Sequence, residues 1–302
     1  MFHHHLTKKL FLQFGICIVI VTVVGILINN LTINLTRTGI GFDFNWLLKP
    51  ASFALAEHPL PYSSSDSYAW ALFIGWLNSI KVIVSSLILA TFLGTLIGFT
   101  RTGKNSLLAL ISASYITIIR QTPLLLQLMF WYFVGFLGLK DEIFIPIKDI
   151  FKISNQGIEF SGFILSSEFS ALLFGLSIFT SAYIAEVIRG GILSVHHGQW
   201  EAFRSLGLSE SKGLLSIIIP QALPAIIPGL TSQYLNLAKN STLAIAVGYS
   251  DIYAINDTII NQTGRAIECF LILLASFLLL NLLISNFMEI LNKTIINSRK
   301  YN

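Results

Sequence analysis

The chain has 302 residues, of which 54% are hydrophobic and only 11% are charged, whereas charged residues make up about 25% of an average soluble domain. Its formal net charge of +4 does not by itself indicate a nucleic-acid partner. This composition excludes a soluble enzyme, a disordered protein and a nucleic-acid-binding arm, because the surface of a soluble chain of this length needs far more charge. It indicates an integral membrane protein.

Six apolar stretches are long enough to cross the bilayer core as helices, which takes about 20 residues each. The first follows Lys8 and Lys9, but it is longer than the core of a signal peptide and no cleavage site follows it, so we expect it to be retained. The sequence therefore predicts an all-α integral membrane protein with about six transmembrane helices, at roughly 10–28, 74–100, 107–138, 169–188, 220–247 and 268–291.

One of these stretches is too long for a single straight crossing. As one helix, 107–138 would extend about 48 Å. Pro123 lies inside it, and proline lacks the N–H donor that a helix interior needs. We expect a break near Pro123, with an ordinary proline kink as the alternative.

The basic residues orient the spans, because cytoplasmic loops of membrane proteins are enriched in Lys and Arg. With the N-terminus inside, more basic residues fall on the inner side than on the outer side, so we expect both termini to be cytoplasmic. The inner residues are Lys8, Lys9, Arg101, Lys104, Arg189, Arg204, Lys212, Lys293, Arg299 and Lys300. The outer residues are Arg37, Lys49, Lys140, Lys148, Lys152 and Arg265.

The polar segment 189–219 is longer than a simple connector requires and predicts a helix–turn–helix on the inner face. Trp200, Phe203 and Leu206 recur at a spacing of three, which would give a short helix one apolar edge. Gly207 suits a helix end that needs a positive φ, and Ser209 suits the N-cap of the next helix. From the residues alone, an interfacial helix resting on lipid headgroups is the alternative.

The same segment carries a spaced motif. Three residues separate Glu201-Ala202-Phe203 from Gly207, and nine residues separate Gly207 from Ile217-Ile218-Ile219-Pro220. The motif resembles the cytoplasmic loop of bacterial ABC importer permeases, whose pattern is Glu-Ala-Ala, three residues, Gly, nine residues and Ile-x-Leu-Pro. The chain departs from that pattern at Phe203, where the family has Ala, and at Ile219, where it has Leu.

Further motifs narrow the resemblance to polar amino-acid permeases. They lie at 120–125, 181–191, 220–222, 233–237, 239–244 and 261–268. Those at 233–237 and 261–268 resemble the general L-amino-acid permease branch. The resemblance covers roughly residues 70–291.

The resemblance implies a five-helix permease core with the coupling loop at 71–295, preceded by a transmembrane anchor and periplasmic loop at 1–70. It implies the permease subunit of an ATP-driven amino-acid importer in the bacterial inner membrane, coupled through the 198–220 loop to a separate ATPase. The implied partners are a cytoplasmic ABC ATPase dimer, which binds the ATP, a second permease subunit, a periplasmic amino-acid-binding protein and membrane lipid. The chain itself would be no enzyme and would hold no cofactor or metal.

By the same resemblance, the loop is a coupling helix that sits in a groove of the ATPase. Glu201 would pair with a basic residue there, Ala202 would permit close approach, and Gly207 would make the turn. Ile217 and Pro220 complete the motif, and Pro220 would begin the next span, where a missing N–H costs little. For Glu201, a solvated acid near a helix N-terminus is the alternative.

Four polar residues, Gln233, Asn236, Lys239 and Asn240, are spaced three or four apart and so share one face of the fifth span. A charge near the bilayer centre costs about 2.5–3.5 kcal/mol on insertion scales and usually faces protein or water. We expect this stripe to line the translocation path, with Lys239 attracting a substrate carboxylate. The alternatives for Lys239 are outward snorkelling or an ion pair within the bundle, for instance with Glu186.

Other signals indicate no site. The 98–105 stretch nearly matches a phosphate-binding loop, but Asn105 replaces the final Ser or Thr and no strand precedes it. The two cysteines, Cys17 and Cys269, build neither a disulfide framework nor a zinc site. Lys81 is expected to snorkel.

Two other functions fit the composition. An ion-coupled secondary transporter of small polar solutes would need buried acids, and only Glu186 falls inside a span. A membrane enzyme or scaffold without transport would use the inner loop only for docking.

Overall fold

The computed structural model describes residues 2–38, 41–103, 105–139, 143–144, 151–160 and 163–298. Five of the basic residues used to orient the chain lie outside the described residues, namely Lys104, Lys140, Lys148, Arg299 and Lys300. The helices are α1 (Phe2–Thr38), α2 (Tyr68–Thr102), α3 (Ser106–Gln121), α4 (Leu124–Met129), α5 (Ser167–Leu193), α6 (His197–Ser205), α7 (Glu210–Gly213), α8 (Ile219–Asn240), α9 (Ile252–Thr263) and α10 (Ala266–Ser298). Short 3-10 helices cover Asn45–Leu48 and Ser241–Val247, and π-helical turns cover Phe130–Phe136 and Leu214–Ile218.

Within these residues, five helical runs are long and apolar enough to cross a membrane, or up to six if the bent pair formed by α3 and the α4 region counts as one span. The predicted all-α membrane fold is therefore confirmed. Helix α5 runs to Leu193, so residues 189–192 are its last turn and not the start of the loop that we predicted there. The five runs are Leu12–Asn34, Tyr68–Thr102, Ser167–Leu193, Glu210–Val247 and Ala266–Ile295.

The break predicted near Pro123 is a sharp corner and not a kink. The helices on either side of it are bent by 103°. Thr122 is extended, with φ −99° and ψ 134°, because a following proline disfavours the helical conformation. The Gln127 side chain then donates through Nε2 to the Ile119 carbonyl at 3.0 Å and to Thr122 Oγ1 at 2.6 Å, which satisfies a carbonyl that the break leaves without a helical partner.

A small β-sheet that the sequence did not predict lies before α5. Its four strands are β1 (Ile143–Phe144), β2 (Phe151–Ser154), β3 (Gly157–Phe160) and β4 (Phe163–Ser166). All neighbouring pairs are antiparallel, in the order β1-β2-β3-β4. Because β4 ends where α5 begins, the sheet is joined directly to a membrane helix.

Helices α2 and α5 form the centre of the bundle because glycines on α2 allow their backbones to approach closely. A Cβ added at Gly94 would lie 2.6 Å from Ile184, and one at Gly98 would lie 3.0 Å from Ile188. Such small residues are typical of helix contacts in membranes, where dispersion forces between close backbones drive association. Both isoleucines belong to a buried cluster that also includes Phe203 of the loop, so the loop is packed onto this centre.

The segment between α1 and α2 is folded against the bundle. Glu57 accepts a hydrogen bond at 2.5 Å from Lys81 Nζ of α2 and another at 2.7 Å from Ser166, the N-cap of α5. Lys81 Nζ also lies 4.3 Å from the centre of the Phe169 ring. Lys81 was expected to snorkel. Its ammonium group instead forms an ion pair with Glu57, which ties the segment between α1 and α2 to α2 and α5.

A second contact ties the same segment to α10. The Arg265 guanidinium donates to the Gly41 carbonyl at 3.1 Å, to Asp43 Oδ2 at 3.3 Å and to Glu268 Oε1 at 2.9 Å. Glu268 is 1% exposed, and a buried carboxylate requires such a cation. Arg265 and Glu268 belong to the 261–268 motif, so the motif has a structural role here.

Candidate coupling loop and translocation path

The 198–220 loop has the predicted helix–turn–helix form. Helix α6 begins after His196, whose Nδ1 accepts a hydrogen bond from the Gly198 N–H at 3.1 Å. Gly207 follows α6 with a φ of +69°, which confirms the turn predicted for it. Ser209 is the N-cap of α7, as predicted, although its side chain makes no capping hydrogen bond.

The three apolar residues predicted to form one edge of α6 differ in burial. Phe203 is fully buried and Leu206 is 75% exposed, while Trp200 is half-buried. Only Phe203 and Trp200 pack against the core cluster. The prediction was wrong for Leu206, because α6 ends at Ser205 and Leu206 no longer follows the helical periodicity.

Phe203 faces the bundle and not the surface that could contact a partner. A Cβ added at Gly213 would lie only 2.3 Å from Phe203 Cδ2. Phe203 therefore fits at the position where the family motif has a smaller residue because Gly213 has no side chain. This departure from the motif changes the interior of the loop and leaves its outer face unaltered.

The outer face of α6 carries Glu201 and Ala202, both exposed. Glu201 Oε1 lies 3.2 Å from His197 Nδ1, one helical turn earlier, and the side chains are 67% and 78% exposed. Arg204 Nε pairs with Glu210 Oε1 at 3.1 Å, which ties α6 to α7. Exposed pairs of this kind contribute about 0–1 kcal/mol, so Glu201 is not needed to hold the fold.

Ile217 and Pro220 lie where the loop joins α8. Pro220 is in the first turn of α8, and a π-helical turn, Leu214–Ile218, precedes it. The missing N–H of Pro220 removes a helical hydrogen bond there. Gln221 Nε2 donates to Gln199 Oε1 at 3.0 Å, so the start of α8 is linked to α6 as one unit.

The four residues of the polar stripe lie together around one cavity of about 230 Å³ between α5 and α8. Helix α5 supplies the opposite wall with Phe179, Thr180 and Tyr183. These three α5 residues were not among the predicted path residues, although their spacing places them on one helical face. The stripe residues that line the cavity are Gln233, Asn236, Lys239 and Asn240.

Lys239 is the one charged side chain among the described residues that line this cavity. Within the described part of the chain it forms no ion pair, since Glu186 binds Arg189 instead, with Oε2 3.0 Å from Arg189 Nε. Tyr183 belongs to the cavity wall, and the Arg120 guanidinium carbon lies 4.9 Å from the centre of its ring. The ion pair with Glu186 that was considered for Lys239 is therefore not formed.

Comparison with known proteins identifies the fold. Residues 90–297 match the family described as binding-protein-dependent transport system inner membrane component. The chain belongs to this family. The putative amino-acid ABC transporter permease YhdX of Escherichia coli is 33% identical, over 92% of this chain and 91% of its own length. The general L-amino acid transport system permease AapQ of Rhizobium johnstonii is 31% identical, over 94% and 91%.

Two solved structures share the fold of this chain. A crystal structure of an amino acid ABC transporter with histidines matches 75% of this chain and 95% of its own, with a TM-score of 0.58 and 27% identity. The MetNI methionine ABC transporter in an inward-facing form has a TM-score of 0.58 at 18% identity, over 75% of this chain and 96% of its own, which shows the shared fold alone.

The family assignment makes the chain a multi-pass membrane subunit of an ABC importer, and not a catalytic enzyme. Among the described residues, no group of three or more His, Cys, Asp or Glu side chains is placed to hold a metal ion.

Proposed function

We propose that this chain is the permease subunit of an ATP-driven amino-acid importer. The single observation that carries the proposal is the cavity between α5 and α8, which is lined by three amide side chains and by the Lys239 ammonium group, unpaired among the described residues. A free amino acid is a zwitterion, and its carboxylate needs a cation once it leaves water. Relatives named as permeases for amino acids, and for glutamate and aspartate in particular, support this substrate class.

Lys239 would attract the substrate carboxylate, while Gln233, Asn236 and Asn240 would donate and accept hydrogen bonds along the path. Amides suit this purpose because each offers both two donors and an acceptor. Their uncharged character also keeps the substrate from binding too tightly to leave.

The outer face of α6 would dock on a cytoplasmic ABC ATPase dimer, the subunits that bind ATP. Glu201 is exposed and available to a basic partner, and Ala202 beside it leaves room for close approach. Gly207 turns the chain, and Ile217 and Pro220 carry the motion into α8. Since Phe203 anchors the loop to the cluster around Ile184 and Ile188, a pull on α6 would move the bundle.

The remaining parts of the importer would follow from this role. A second permease subunit and a periplasmic amino-acid-binding protein would complete the transporter in the bacterial inner membrane, with both termini of this chain in the cytoplasm. Residues 1–70 would form an anchor and periplasmic loop, and residues 71–295 the permease core with its coupling loop.

Reconstitution tests the proposal directly. The chain and the ATPase, second permease and binding protein that purify with it would be placed in vesicles and given radiolabelled glutamate, glutamine and leucine. We expect uptake that requires ATP and stops with vanadate. Uptake driven by a proton or sodium gradient without ATP would instead support a secondary transporter, which the Glu186–Arg189 pair disfavours because it leaves that acid bound to an arginine.

A further inference from the structure

A second polar cavity, of about 290 Å³, lies between α9 and the first turns of α10. Its polar lining comes from Tyr253, Asn256 and Asp257 on α9. Its apolar wall includes Ile260, Phe270 and Leu273. The volume is near the lower end of the range for small-molecule sites.

The polar groups in this cavity have unused hydrogen-bonding capacity. Asn256 is 2% exposed, and its buried Oδ1 has no hydrogen-bond partner among the described residues. That oxygen has almost no accessible surface, so the acceptors open to a ligand in the cavity are those of Asp257 and Tyr253.

The carboxylate beside it is only partly used. Asp257 Oδ2 accepts a hydrogen bond from Asn261 Nδ2 at 3.2 Å, and within the described residues Asp257 forms no ion pair. Arg265, which directly precedes α10, is engaged by Asp43 and Glu268. The cavity therefore combines a negative charge, acceptor oxygens and an apolar wall, without a neutralising base among its lining residues.

We propose that this cavity binds the primary ammonium group of a ligand with an apolar body. An ammonium has three donors and no acceptor, which complements the Asp257 carboxylate and the Tyr253 oxygen. The apolar part would lie along Phe270 and Leu273. Two sources supply this chemistry, an ethanolamine phospholipid of the membrane and an amino acid on its way to the path. The lipid source is independent of the proposed function, whereas the amino-acid source rests on it.

Lipid retention provides the first test. The full chain, with the partners that purify with it, would be incubated in detergent with phosphatidylethanolamine or phosphatidylglycerol and examined by native mass spectrometry. We expect phosphatidylethanolamine to be retained about tenfold more, and Asp257→Asn to remove the preference. Glu289→Gln, which changes an exposed acid on α10, is the matched control and should keep it.

Stabilisation of the protein against thermal unfolding by an added amino acid provides the second test. In lipid-free detergent, leucine should raise the unfolding temperature of the wild type and not that of Asp257→Asn if the amino acid is the ligand. Phe270→Trp narrows the cavity without changing its charge. It should lower the affinity for whichever ligand binds, while the unfolding temperature of the ligand-free variant should equal that of the wild type. Because Phe270 is 61% exposed, this variant is expected to fold.

The outcomes separate clearly. A lipid preference or leucine protection that is lost in Asp257→Asn and kept in Glu289→Gln supports the site and identifies its source. Equal retention of both lipids together with no leucine protection, or protection by sodium ions alone, would overturn it. Since lipid retention does not require transport, failure of the reconstituted importer would leave the lipid result standing.

Discussion

The ring of Phe203 fills the space that a side chain at Gly213 would need, with Cδ2 of the ring 2.3 Å from the position of a Gly213 Cβ. The two residues lie on α6 and α7, on either side of the turn at Gly207. Phe203 is fully buried, so their contact forms the interior of the 198–220 loop. The loop is consequently a packed unit, which the proposed transmission of force between its outer face and the bundle would require.

Gly213→Ala should therefore destabilise the protein. Overpacking a filled interior typically costs about 1–3 kcal/mol, whereas an unhindered Gly→Ala change in a helix stabilises by roughly 0.5–1 kcal/mol. Thermal unfolding in detergent would measure the difference. Gly190→Ala is the matched control, because a Cβ there has no neighbour within 4 Å. If both substitutions raised the unfolding temperature equally, the Phe203–Gly213 contact would not contribute to the stability of the protein.

Glu201→Lys should uncouple the transporter without affecting insertion or folding. The Glu201 carboxylate is exposed and its pair with His197 is weak, but reversing its charge would place like charges together in a docked complex, which costs several kcal/mol. We expect at least a roughly tenfold loss of ATPase affinity, measured by co-purification or titration. Glu289→Lys, which breaks a similar exposed pair on α10, should have no effect. Normal uptake in Glu201→Lys would remove the coupling role.

Lys239→Met should slow uptake by about tenfold or more, because a hydrogen bond to a charged group is worth roughly 1.5–3 kcal/mol. Initial rates across substrate concentrations in reconstituted vesicles would measure the change. Lys239→Arg, which keeps the charge, should restore part of the rate, and Lys293→Met, an exposed lysine on α10, should behave as wild type. Wild-type affinity and rate in Lys239→Met would dispose of the substrate contact.

The unfolding temperature should fall as the pH rises from about 5 to 8. Burial raises the pKa of Asp251 to about 7, against an ordinary value of 3.8, and the hydrogen bond from the Ala254 N–H opposes this only in part. Between these two values the folded state binds more protons than the unfolded state, so stability falls with rising pH. Asp251→Asn, which keeps an N-capping side chain, should flatten this dependence. If the unfolding temperature of Asp251→Asn fell equally steeply with pH, the pH dependence would come from other groups.

Much of the site could be predicted from the sequence because its signals are local. The turn at Gly207 depends on one residue that tolerates a positive φ, and the stripe from Gln233 to Asn240 depends on helical periodicity within a single element. The break at Pro123 is equally local, because proline acts on its own turn and on the residue before it. Each of these predictions placed residues correctly without knowledge of any neighbour in space.

Other features depended on contacts between distant parts of the chain. The burial of Phe203 required knowing that Gly213 faces it, and the pairing of Lys81 required knowing that Glu57 folds back onto α2. The β-sheet before α5 escaped prediction because short strands have weak individual signals and gain stability from each other.

The sequence by itself determined that the chain lies in a membrane, because so little charge cannot cover a soluble surface, and it determined the family, because the loop motif keeps its spacing along the chain. Only the tertiary structure decided which side of α6 faces the bundle, which acid Arg189 holds, and which residues of α5 close the cavity opposite Lys239. Periodicity specifies the face of one helix, but the partner of that face is chosen by packing between helices that are far apart in sequence.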